Sequence, residues 1–226
     1  GENPHQEAIF FGELETNFYK RNGKELSYNN LVDVDAAVTL MAEFKNSEPT
    51  FAILKHTNSC GLATRPTVLQ AWKDALAADP LSAFGGVLIC NKTIDEATAR
   101  EIDELFYEVL IAPSFSDSAL AVLSAKKNRI LLQLHTYPKA TQQVKSILDG
   151  YIVQDMDHMT LDMATIKEAT NRKPTKTEMD DLLYANICVK HLKSNGIALV
   201  RNGQLLGMGC GQTSRVDSLR HAILKA

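Results

Sequence analysis

Four short apolar runs, the first three each followed by a stretch of helical periodicity, constrain this chain more than any other feature. They fall at residues 51–55, 87–90, 108–112 and 130–134. Leu31, Val34, Ala37, Val38, Met41 and Phe44 keep helical spacing before the first run. Residues 68–78, 95–106 and 119–125 read as helices after the first three. Asp79-Pro80 stops the first of these, and acidic residues open the second, as the helix dipole favours. Strands alternating with helices at this spacing predict an α/β fold with a largely parallel sheet. A shorter apolar string at 8–11 reads as one more strand.

The pattern restarts near residue 141. Residues 151–154 read as a strand and 155–173 as an irregular boundary. Thr175-x-x-Glu178 is a capping box that opens a long helix, with Gly196 closing it. Asn202-Gly203 between two apolar strings predicts a hairpin over 197–208. A glycine-rich loop, 209–215, then leads to a last helix. The chain divides into a first lobe, 1–145, and the beginning of a second, 146–226. With no initiator Met and a helix running into Ala226, it reads as part of something longer.

The 226 residues carry a net charge of −3, whereas sequence-blind nucleic-acid binders are basic, so nucleic acid is not expected as a partner. Any anionic ligand should be small and held locally. No apolar run approaches the roughly 18 residues of a membrane helix, and no signal peptide opens the chain. Cys60, Cys90, Cys188 and Cys210 are widely spaced without a C-x-x-C, which predicts free thiols in a cytoplasmic protein.

The chemistry concentrates at residues 52–63, A-I-L-K-H-T-N-S-C-G-L-A. Here an apolar strand runs into Lys55, His56 and a small-residue turn at 57–61. In open α/β sheets, ligands sit at the carboxyl ends of strands. A regular strand would send Lys55 and His56 to opposite faces. The strand must therefore break at Lys55 if both side chains are to face one pocket. His56 suits a general base, and Lys55 a stabiliser of developing negative charge. The bland alternative is a solvated Lys-His pair at a strand end. Arg215, with Ser214, lies at a helix start, where anions bind well, but it could equally be a solvated arginine after a turn. Gly85 and Gly86 beside Phe84 could bring backbone against a flat ring, or simply make a tight turn into a strand. A Cys60 thiol nucleophile near His56 is a weaker alternative, because nothing orients the imidazole. The H-x-E and P-C-x-x-C strings of zinc deaminases are absent, so no metal is expected.

Five ordered strings point to one family. They are Gly1-Glu2-Asn3-Pro4-His5-Gln6, residues 54–61, residues 79–86, Lys193-Ser194-Asn195 and residues 209–218. Together they resemble the transformylase region of the bifunctional AICAR transformylase/IMP cyclohydrolase family, over essentially the whole chain. The resemblance implies formyl transfer from 10-formyltetrahydrofolate to the 5-amino group of AICAR ribonucleotide, in purine biosynthesis. It implies duplicated, cytidine-deaminase-like three-layer α/β lobes without the deaminase zinc, the second lobe incomplete here, and a homodimer with sites at the interface. By motif, His56 would be the proton acceptor and Lys55 the transition-state stabiliser. Gly85, Glu108, Asn195 and Arg215 would bind the nucleotide, and Val216 the folate. Glu108 departs from the Asp usual at its position. The Arg-Tyr pair that precedes the first string in the family, the F-F-P-F string, the C-terminal Arg and His, and the cyclohydrolase domain are not in this sequence. A catalytically incomplete, nucleotide-binding piece is therefore the alternative expectation.

Overall fold

The structure is a computed structural model and describes residues 1–161 and 163–226. Its centre is an eight-stranded sheet in the order β1-β6-β5-β4-β2-β3-β10-β9. In chain order these strands are β1 (Phe18–Asn22), β2 (Thr50–Lys55), β3 (Asn58–Thr64), β4 (Val87–Cys90), β5 (Val109–Ala112), β6 (Ile130–Leu134), β9 (Ile197–Arg201) and β10 (Gln204–Gly209). A separate hairpin pairs β7 (Gln142–Ile147) with β8 (Gly150–Asp155).

The sheet is mixed rather than largely parallel. Only β4 with β5 and β5 with β6 run parallel. Those strands are joined through α4 (Glu96–Asp103) and α5 (Asp117–Leu123), and a helical crossover returns a strand in the same direction. The β2–β3 and β9–β10 connections are two-residue turns, which force antiparallel pairing. The string at 57–61, expected as a turn, is mostly the buried strand β3; only His56 and Thr57 lie outside the ladder. Residues 8–11 form no strand, and Ile9, Phe10 and Phe11 are exposed. The sheet edge belongs to β1, which buries only Phe18 and so carries little apolar signal.

Helices cover both faces. Thr50 and Phe51 are neighbours on β2 and point opposite ways. Phe51 meets Trp72 of α2 (Val68–Ala78), ring centroids 5.0 Å apart. Thr50 bonds Thr64, which meets the Tyr184 hydroxyl of α6 (Lys176–Lys190) on the other face. There α1 (Tyr28–Ala42) lies beside α6, with Phe44 and Tyr184 rings 5.3 Å apart. Capping boxes, Ser27 with Asn30 and Thr175 with Glu178, start these two helices.

Two helices end earlier than expected. α4 stops at Asp103 because the buried Arg129 guanidinium takes the Asp103 and Leu105 carbonyls that would continue the ladder. α6 stops at Lys190, with His191 as its C-cap, and Gly196 lies in the following loop. The short α3 (Pro80–Ala83) precedes β4. The last helix, α7 (Arg215–Lys225), lies against β10, where a Cβ at Gly209 would sit 1.9 Å from the Ser218 carbonyl oxygen. No described helix is long and apolar enough to cross a membrane.

Candidate active site

The site is built on the tip of the β2–β3 hairpin. β2 ends at Lys55, which pairs with Asn58, so His56 and Thr57 form a two-residue turn. Both have left-handed backbone, φ 51° and 65°. Two-residue hairpins of this kind favour Asn-Gly, since both central residues need φ > 0. A β-branched residue such as Thr57 is a true outlier there, at about 1–3 kcal/mol for a strained residue. The strand thus breaks where the Lys-His argument required.

The turn does not bring both side chains into one pocket. Lys55 reaches the other way, its Nζ donating to the Phe84 carbonyl at 2.6 Å. His56 is exposed and lines a cleft of about 720 Å³ with Glu2, Asn3, Lys24, Asp33 and Glu108, and Lys55 is not in that lining. The Asn29 amide donates to the Glu2 carbonyl at 3.1 Å, seating the N-terminal string on this cleft. Lys24 Nζ stands 3.0 Å from Glu108 Oε2.

Backbone links join the two sides. Phe84 accepts from Lys55, and the next residue, Gly85, donates its N–H to Phe106 at 2.8 Å. Glu108 N–H donates to Gly86 at 3.0 Å. Gly85 has φ 72°, a conformation that suits glycine. The exposed Phe84 and Phe106 rings lie 5.1 Å apart at this rim.

Asn195 and Arg215 form a second cluster. Arg215 Nη2 is 3.5 Å from Asn195 Oδ1, while Asn195 Nδ2 donates to the Gln212 and Thr213 carbonyls. The Ser218 hydroxyl donates to the Asn195 carbonyl at 2.7 Å. This cluster meets the hairpin tip through Asn58, whose Oδ1 accepts from Lys193 N–H at 3.0 Å. Val216 follows Arg215 on α7, is exposed, and does not line the His56 cleft.

Cys60 is buried, and burial pushes its thiol up to about 12, the nearby Asp79 carboxylate adding to this. It occupies the bulge of β3 opposite Ile53, to whose carbonyl its thiol donates. A neutral, buried thiol is no nucleophile at neutral pH, so the Cys60 alternative is withdrawn. Among the described residues, no group of three or more His, Cys, Asp or Glu side chains could hold a metal ion.

Sequence reasoning missed Lys24, Asp33 and Asn58. Asp33 Oδ1 accepts from Thr57 N–H at 2.7 Å, and Asn58 Nδ2 donates to the His56 carbonyl at 2.7 Å. Asn58 lay inside the recognised string, but as one polar residue among several. Lys24 and Asp33 come from the segment before α1 and from its second turn, and nothing local says that these meet the β2 tip.

A mixed α/β domain with an imidazole, a carboxylate and a cation in a cleft at the end of a central strand has the architecture of a small-ligand-binding domain. The description "AICARFT/IMPCHase bienzyme" belongs to a family model that matches residues 1–225, and the chain belongs to that family. It is 53% identical to the bifunctional purine biosynthesis protein PurH of Bacteroides thetaiotaomicron, over all of this chain and 44% of that protein. Identity is 47% to PurH of Parvibaculum lavamentivorans, over all of this chain and 44% of that protein, and 44% to PurH of Acetivibrio thermocellus, over 99% and 45%. The chain spans less than half the length of these curated relatives.

Proposed function

We propose that this chain carries the formyl-transfer chemistry of an AICAR transformylase, moving the formyl group of 10-formyltetrahydrofolate to the 5-amino group of AICAR ribonucleotide in purine biosynthesis. The observation that carries the reading is His56, held in a left-handed turn at the mouth of a polar cleft, in a chain matched end to end by the family.

The acceptor amine is a weak nucleophile, since its lone pair is delocalised into the ring and carboxamide. Its nitrogen attacks the formyl carbon, a C–N bond forms, and the carbonyl becomes an oxyanion. His56 takes the amine proton. Collapse of the intermediate breaks the bond to N10 of the folate, and N10 recovers a proton. The Lys55 ammonium is the cation assigned to the oxyanion; one of its three N–H groups is held by the Phe84 carbonyl, and the others are left for the substrate. A positioned base and an oxyanion donor each typically supply about a hundredfold or more. Gly85, Glu108, Asn195 and Arg215 are assigned to the nucleotide, with Arg215 on a carboxylate or phosphate and Asn195 on the carboxamide or amine. Val216 is assigned to the folate.

The same reading includes cytidine-deaminase-like lobes at 1–145 and from 146 onward, with β9 and β10 of the second continuing the sheet of the first, a homodimer and a cytoplasmic location. Exposed apolar side chains on β7–β8, among them Val144, Tyr151 and Val153, are consistent with a partner. A second reading is nucleotide binding without turnover. One experiment separates the two. In the full-length protein, folate turnover is followed with AICAR ribonucleotide in the wild type and His56→Ala. Abolished transfer with retained fold and nucleotide binding supports the first reading, and wild-type turnover in the variant overturns it. Nucleotide binding by residues 1–226 alone, without turnover or folate binding, supports the second.

A further inference from the structure

The His56–Thr57 turn lacks the residues that make such a turn cheap, so something else must hold it. A Thr in left-handed backbone persists only where its surroundings over-determine it. The surroundings are two side chains. Asp33, from α1, accepts the Thr57 N–H at 2.7 Å. Asn58, the first residue of β3, donates to the His56 carbonyl at 2.7 Å and accepts from Lys193 N–H at 3.0 Å. One clamp ties the turn to the helix beneath it. The other ties it to the loop that carries Asn195.

We infer that Asp33 and Asn58 are positioning residues for His56, fixing the turn so that its imidazole faces the cleft and stays in register with the Asn195–Arg215 cluster. This rests on the formyl-transfer reading proposed above. The residues act through backbone, not on the substrate. Asp33 holds the peptide that follows His56, and Asn58 holds the carbonyl of His56 itself. Without the first, the turn can relax toward backbone that a β-branched residue prefers, carrying the imidazole with it. Without the second, the Asn58 bridge between the His56 and Asn195 sides of the site is lost. A displacement of about 1 Å in a reacting group can cost about a hundredfold in rate.

The test uses conservative partners in the full-length protein. Asp33→Asn keeps an oxygen acceptor for Thr57 N–H and loses the charge, whereas Asp33→Ala loses both. Asn58→Asp keeps the acceptor for Lys193 and loses the donor to His56, whereas Asn58→Ala loses both. Circular dichroism melts establish that each variant folds. In Asp33→Ala, kcat should fall about tenfold to a hundredfold with the nucleotide KM nearly unchanged, and Asp33→Asn should restore most of it. Exchange of the Thr57 amide with solvent, followed by NMR, should accelerate in Asp33→Ala and return toward wild type in Asp33→Asn. Asn58→Asp should lower kcat like Asn58→Ala and raise the nucleotide KM less. Equal kcat in Asp33→Ala and wild type, or failure of Asp33→Asn to rescue, overturns the inference. If the wild type transfers no formyl group, the formyl-transfer reading fails instead. The clamp is then decided by Thr57 exchange, and unchanged exchange in Asp33→Ala overturns it.

Discussion

Lys24 and Glu108 form an ion pair, Nζ to Oε2 at 3.0 Å, across the cleft that His56 lines. Both side chains are substantially exposed, so the pair should contribute at most about 1 kcal/mol to folding. Its consequence should appear in binding. Glu108→Gln is expected to weaken AICAR ribonucleotide binding about tenfold, as the loss of one charged hydrogen bond does. Lys24→Met should weaken it less, and the double variant should be no worse than Glu108→Gln, because Lys24 acts through Glu108. Titration calorimetry measures all three. Additive losses would mean that Lys24 contacts the nucleotide independently.

The four thiols should be inert at the site. Cys60, Cys90 and Cys188 are buried, and burial pushes each up to about 12. Cys210, half-buried, is raised less far and is the accessible one. Iodoacetamide on the native protein should modify Cys210 first, and Cys60→Ala should retain formyl transfer. Loss of turnover in a folded Cys60→Ala protein would restore the thiol to the mechanism.

The two helical crossovers that join β4, β5 and β6 were legible because periodicity is local. The runs that became β2, β4, β5 and β6 are buried on both faces and carry their own signal, as does the Thr175–Glu178 cap. Strand β3 was hidden by composition: Asn58, Ser59 and Gly61 read as a turn, yet they pair with β2 through a two-residue tip. Strand β1, with one buried residue, had almost no pattern to read. At the site, Lys55 and His56 were legible as a strand end with chemistry, but their divergence was not, because it depends on where Phe84 and Asp33 arrive from distant elements. The Arg215–Asn195 approach is likewise a product of packing between α7 and the loop after α6.

Between α1 and α6, Glu43 Oε1 stands 2.8 Å from Lys190 Nζ and 3.3 Å from His191 Nε2. Burial lowers the His191 imidazole below its ordinary value and Lys190 adds to this, while Glu43 and the more distant Asp157 pull the other way. The folded state therefore prefers neutral His191 more than the unfolded chain does. That stability is complete above the unfolded value, about 6.5, and is lost as pH falls through and below it. The melting temperature should drop between pH 7 and pH 5, and His191→Gln should flatten that drop. Parallel profiles would place the acid sensitivity elsewhere.

Gly209 decides whether Arg215 can be where it is. A Cβ there would meet the Ser218 carbonyl oxygen at 1.9 Å, and one at Gly207 would meet the Ala222 oxygen at 2.2 Å, so β10 carries α7 directly on its backbone. Gly209→Ala must push α7 outward, and overpacking of this kind typically costs about 1–3 kcal/mol. The same shift should separate Arg215 from Asn195 and break the Ser218 bond to the Asn195 carbonyl, weakening nucleotide binding. Ser218→Ala removes that hydroxyl without moving the helix, so it should cost less in both stability and affinity. Gly150→Ala, on the exposed β7–β8 hairpin with only the Ile147 oxygen at 4.0 Å, should leave the urea midpoint almost unchanged. A Gly209→Ala protein that unfolds in urea and binds nucleotide like the wild type would show that α7 does not need this close approach to place Arg215.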